Sequence, residues 1–110
     1  MKKYLSALVT ASVASLTLFS SALAAPVTSA DLSGKKLCMS NGDRNAYNSG
    51  GQFSSNRFGN GTWAVTADGV QIYAQYWNGL FSLTKRSNGT FRSTYTLGNY
   101  PKIVTGRYCN

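Results

Sequence analysis

From Gly34 onward, apolar and polar residues alternate in short runs, and a small, turn-forming pair breaks each run. Period two is the signature of a half-buried β-strand, whose successive side chains point to opposite faces. Read this way, strands are predicted at residues 35–39, 45–48, 52–56, 62–66, 70–76, 80–85, 90–96 and 102–108. Asp68-Gly69, Asn78-Gly79 and Asn88-Gly89 fall between β-type runs at near ten-residue spacing. Asn, Asp and Gly reach positive φ at little cost, so these pairs read as tight hairpin turns. Such spacing predicts an all-β fold, a small antiparallel meander or barrel of about seven to eight short strands. "LGNYP" (97–101) reads as a longer loop. No helical periodicity longer than a turn is present after residue 33.

The same alternation assigns faces. Trp63, Val65 and Ala67 are expected inside, with Val70, Ile72, Ala74 and Tyr76, then Phe81 and Leu83, then Phe91, Ser93 and Tyr95. Outward are expected Gln71, Tyr73, Gln75 and Trp77, then Ser82, Thr84 and Arg86, then Arg92, Thr94 and Thr96. Simple succession of strands suits a closed barrel, because closure removes edges that invite aggregation.

The first 24 residues break this pattern. Lys2 and Lys3 precede an apolar run rich in small residues, which ends in Ala22-Leu23-Ala24. That is the pattern of a secretory signal peptide cleaved before Ala25. Residues 25–33 then form a polar, mobile lead-in, and 34–110 one all-β domain. The implied location is periplasmic or secreted, with no transmembrane segment after cleavage. The signal reads as bacterial, and hairpins account for the two Asn-Gly-Thr triplets better than glycosylation does.

Export changes the reading of the two cysteines. A chain this small buries a marginal core. Cys38 and Cys109 are an even pair near the two ends of the domain, which predicts a disulfide between the terminal strands. Closing so long a loop contributes about 4 kcal/mol in the chain-entropy model. A zinc site would need two more ligands, and the sequence has no His and no further Cys. No metal and no cofactor are expected.

Charge narrows the function classes. Without Lys2 and Lys3, nine of the eleven basic residues remain against three aspartates. Such a surface attracts polyanions. Catalytic constellations are poorly represented. Triads and Cys-His pairs need a His, and glycosidases need two flanking carboxylates. Asp68 is absorbed by a turn, Asp31 lies in the lead-in, and Asp43 in "SNGDRN" lacks the acidic repeats of a calcium loop. The protein is therefore expected not to be an enzyme.

Binding is the natural alternative. The candidate site is Tyr73, Trp77, Arg86 and Arg92, placed by alternation on one outer face. Aromatics there stack on sugar rings, and arginines meet phosphate or carboxylate. The expected partner is an anionic glycan or envelope polymer. The alternatives are a protein partner, with the chain acting as inhibitor of a secreted enzyme or as host-directed effector, and a small ligand held in the barrel interior. Nucleic acid is disfavoured by the compartment.

Gly61-Thr62-Trp63, followed by alternating strands and short Gly turns, resembles the small calycin-type barrels, lipocalin-like and avidin-like. The resemblance is one of architecture. The Gly-x-Trp motif belongs to the first barrel strand in lipocalins and falls mid-chain here, so no binding residue is carried over.

Overall fold

The computed structural model describes residues 24–110. The expected signal peptide lies almost wholly outside the described residues. Ten elements follow one another. They are β1 (Ala25–Pro26), α1 (Ser29–Leu32), β2 (Lys35–Met39), β3 (Arg44–Tyr47), β4 (Gln52–Ser55), β5 (Gly59–Thr66), β6 (Gly69–Ala74), β7 (Asn78–Lys85), β8 (Thr90–Leu97) and β9 (Tyr100–Cys109). From β2 to β9 each strand pairs antiparallel with the next, and β9 returns to β2. The result is a closed eight-stranded up-and-down barrel, as the alternation predicts. Cys38 and Cys109 are bonded across the β2–β9 closure, with Cα atoms 5.8 Å apart.

Turn chemistry holds in part. Arg86 N donates to the Thr90 carbonyl (2.8 Å) around Ser87-Asn88-Gly89. Gly89 has φ 85°, the left-handed position of a three-residue hairpin loop. The β5–β6 turn falls on Ala67 and Asp68, since Thr66 faces Gly69. "LGNYP" is a tight turn rather than a long loop. Leu97 faces Tyr100, and Gly98 (φ 64°) and Asn99 close the hairpin.

Asn78-Gly79 is no turn. Both residues lie in β7, with Tyr73 facing Asn78 and Ile72 facing Gly79. The chain reverses earlier, through Ala74–Trp77. Ala74 N donates to the Trp77 carbonyl (3.0 Å) and to Asn78 Oδ1 (3.1 Å). Continuing the alternation through this loop inverts two faces. Tyr76 is 72% exposed, and Trp77 turns in against the core. Ala67, at the β5–β6 turn, is also exposed. The remaining inward assignments on β5 to β8 are buried or half-buried.

The lead-in is folded, contrary to the mobile segment expected. Val27 and Leu32 are buried in the core. β1 completes a gap in the sheet: β6 reaches only as far as Val70 opposite Phe81, and β1 takes the next stretch of β7. Pro26, which has no N–H to give, sits on this short edge strand. A capping box starts α1, with Asp31 N donating to Thr28 Oγ1 (3.3 Å) and Thr28 N to Asp31 Oδ2 (2.8 Å). The Tyr108 hydroxyl donates to the Asp31 carbonyl (2.7 Å), tying α1 to the last strand.

Side chains fill the barrel. Phe58, Trp77, Phe81 and Tyr95 form one aromatic cluster at the rim beside the β6–β7 loop, with ring centroids 5.1–5.7 Å apart. Tyr47, Phe53 and Trp63 form another. The Trp63 indole donates to the Asn48 carbonyl (2.9 Å), which meets the requirement of a buried N–H. The Asp43 carboxylate is buried near the first cluster. It accepts from Arg57 Nε (2.6 Å) and Asn41 Nδ2 (3.2 Å). Asp43 thus holds the protonated guanidinium of Arg57 more firmly than solvent would.

Candidate functional site

Closure and register decide which exposed side chains become neighbours. Residues directly opposite in paired strands share a face, so the outer wall can be read strand by strand. On β4, β5 and β6 it carries Gln52, Ser54, Asn60, Thr62, Ala64, Thr66, Gln71 and Tyr73. No charged residue stands on that wall.

The wall formed by β3, β2, β9 and β8 is different. Arg44 faces Cys38, Cys38 faces Arg107, and Arg107 faces Thr90. Thr90 is closed against Arg86 by the hairpin bond. Arg44 on β3, Arg107 on β9 and Arg86, one residue past the end of β7, therefore lie in one cross-strand row, two strand spacings apart. At about 4.8 Å between strands, their backbones are roughly 10 Å apart. Lys36 lies one step to one side of this row, opposite Cys109, and Arg92 one step to the other, opposite Thr105. The disulfide sits among these five cations and fixes β2 to β9 beneath them.

None of the five is neutralised. Among the described residues the ion pairs are Arg57–Asp43 (2.6 Å) and Lys85–Asp31 (3.5 Å). Asp31 is held below the usual carboxylate range chiefly by the Thr28 backbone N–H, which outweighs the opposing effect of burial, with lesser help from the Thr28 side chain and Lys85. Asp68 is in the β5–β6 turn, away from the row. Lys35 and Lys85 stand over the Tyr108 ring, 5.6 and 5.7 Å from its centroid. These two lysines lie at the mouth of the barrel rather than on its wall.

The four residues singled out by sequence separate into three places. Arg86 and Arg92 are on the same outer face, as alternation predicts, with Arg92 on the basic wall and Arg86 beside it. Tyr73 is outward and 58% exposed, on the neutral wall. Its partner Asn78 is six residues along β7 from Thr84, which faces Arg92. At 3.3 Å per residue, that is roughly 20 Å. Trp77 is on neither wall. It stacks on Phe81 (14° between planes), and its indole donates to the Thr96 carbonyl (3.2 Å). A side chain at Gly79 would run into the Trp77 ring, so the bare glycine makes room for it.

Sequence reading omitted Arg44, Arg107 and Lys36 from the site. Each is visible as a charge, and what joins them is the β9–β2 closure, which alternation within a strand does not encode. The cysteines were the available signal, because a disulfide between the terminal strands places Arg107 beside Cys38. Among the described residues no cluster of His, Cys, Asp or Glu could hold a metal ion.

Fold and site together define a small disulfide-closed, eight-stranded barrel with one basic wall, in the loose architectural company of calycin-like barrels. Compared with known proteins, the chain matches no family model, no curated protein and no solved structure.

Proposed function

We propose that the protein is an exported, non-enzymatic binding module for anionic cell-envelope material, with the arginine row as its contact surface. The observation that carries this reading is the segregation of charge. Four unpaired cations share one wall, with Arg86 beside them, and the wall of β4–β6 carries none. Spread evenly, the same cations would only confer solubility. Gathered on a rigid sheet, they offer several simultaneous charge-assisted hydrogen bonds to a polymer with repeating acid groups. Export, periplasmic or extracellular, is supported by the sequence of the first 24 residues and by the disulfide, which is stable in an oxidising compartment. The filled interior favours a surface ligand over an enclosed one.

The test is a calorimetric titration of the oxidised protein with polygalacturonate, lipopolysaccharide and a neutral glucan, at low and near-physiological salt. Saturable binding to the anionic materials that persists at the higher salt, with none to the glucan, is expected. Binding that vanishes at the higher salt would reduce the wall to nonspecific attraction. Stoichiometric capture of one protein with no polyanion binding would favour the inhibitor or effector alternative.

A further inference from the structure

The barrel wall does not end where the barrel does. β8 pairs with β7 only as far as Thr94 opposite Ser82. From Tyr95 on, its strand partner is β9, through Lys102, Pro101 and Tyr100. β9 in turn pairs with β2 only from Gly106 onward. The far end of the β8–β9 hairpin is therefore a two-stranded ribbon standing beyond the closed sheet. The Trp77 indole braces its base through the Thr96 carbonyl.

This ribbon is unusually apolar for a free-standing element. Tyr100 is 73% and Ile103 59% exposed, and Leu97 is exposed beside them. Both faces contribute, since Ile103 is on the outer face and Leu97 and Tyr100 on the other. The only charges on β8 and β9 are Lys102, Arg92 and Arg107, all positive. An exposed apolar tip followed by unpaired cations matches an anionic lipid surface. Aliphatic groups enter below the headgroups, tyrosine hydroxyls stay among them, and cations meet the phosphates.

We infer that the β8–β9 hairpin inserts its tip shallowly into an anionic phospholipid surface, where Lys102, exposed two residues from Tyr100 on the same face, meets the headgroups. Arg92 and Arg107, roughly 17 and 23 Å along the strands from the tip, attract the surface from a distance, and that part of the inference rests on the anion-binding role of the same wall proposed above; the apolar tip and Lys102 are independent of it. Depth is limited by the backbone. A two-stranded ribbon with free edges cannot satisfy its N–H and C=O groups in hydrocarbon, so it reaches the headgroup and upper acyl region only.

Flotation with vesicles of phosphatidylcholine containing phosphatidylglycerol, and with phosphatidylcholine alone, tests this. The wild type is compared with Tyr100→Ser/Ile103→Ser. Two exposed side chains are changed, and polygalacturonate binding serves as the control for folding. Binding to the anionic vesicles only is expected. The double variant should bind them at least about tenfold more weakly, from the lost apolar burial, with polygalacturonate binding unchanged. Undiminished vesicle binding by the variant would overturn the inference. So would a wild type that binds polygalacturonate but not anionic vesicles, and that result would leave the anionic-polymer reading standing. Binding to neither would remove both.

Discussion

The two walls of this barrel are built from the same kind of strand and differ in what they display. The β4–β6 wall presents amides, hydroxyls and one tyrosine, and its strands are joined by short local turns. The β3–β2–β9–β8 wall presents four cations, with Arg86 beside them just past the end of β7, and its central seam joins β2 to β9 through a disulfide. Like charges directly opposite one another would weaken pairing, and register avoids this: Arg44 and Arg107 both face Cys38, Lys36 faces Ala46 and Cys109, and Arg92 faces Thr84 and Thr105. The covalent link lies in the middle of the row. The comparison teaches that the staple and the charge belong together. The neutral wall is held by local hairpins, whereas the basic wall depends on a long-range closure and is reinforced there.

The comparison breaks most visibly if the staple is removed. Cys38→Ser/Cys109→Ser should lower stability by about 4 kcal/mol. Salt should raise the stability of both proteins by screening the arginine row and leave the difference between them nearly unchanged, because the disulfide acts on the unfolded chain. Urea unfolding at two salt concentrations measures both, and no gain with salt in either protein would mean that the row carries no repulsion. A smaller effect is expected at the rim. Trp77→Ala should cost about 3 kcal/mol, the low end for truncating a packed aromatic, since the ring is only partly covered. It should not alter polyanion binding, as the ring lies on neither wall. Calorimetric unfolding and titration of the same sample check the two halves.

The smallest effect concerns α1, which neither wall needs. Thr28→Ala should cost about 1 kcal/mol through loss of the cap. The carboxylate of Asp31 is held below its ordinary value in the folded state. Its contribution is therefore fully present above the unfolded carboxylate value near 3.9, and is lost as pH falls through the lower folded one. Asp31→Asn should flatten the acid limb of the stability profile without changing the alkaline side. Urea midpoints across pH for both proteins would reveal it.

What the sequence made legible follows the range of each interaction. Strand existence and face come from nearest neighbours along the chain, so Val70, Ile72, Phe81, Leu83 and Phe91 read correctly from alternation. Errors arose where the period is interrupted. Ala74–Trp77 is a four-residue loop, and carrying period two across it exchanged Tyr76 and Trp77. Gly79 was the corrective signal, because an inward glycine beside a tryptophan is a cavity that the ring can fill. Val27 and Leu32 were two apolar residues in a polar stretch, too few to show a period and enough to dock. The arginine row was the least legible feature. Arg44, Arg107 and Arg86 are far apart in the chain and are neighbours only through register across the closed barrel.

The central claim is that placement, not net charge, makes the anion surface. It is tested most directly by two triple variants with the same change in charge. Arg44→Gln/Arg86→Gln/Arg107→Gln empties the row, whereas Lys35→Gln/Lys85→Gln/Lys102→Gln removes three cations from elsewhere. Titrated with polygalacturonate at near-physiological salt, the row variant should lose at least about tenfold in affinity, with a shallower salt dependence, in keeping with fewer released counterions. The off-row variant should stay close to the wild type. Equal losses in the two would contradict the account and leave only net charge behind.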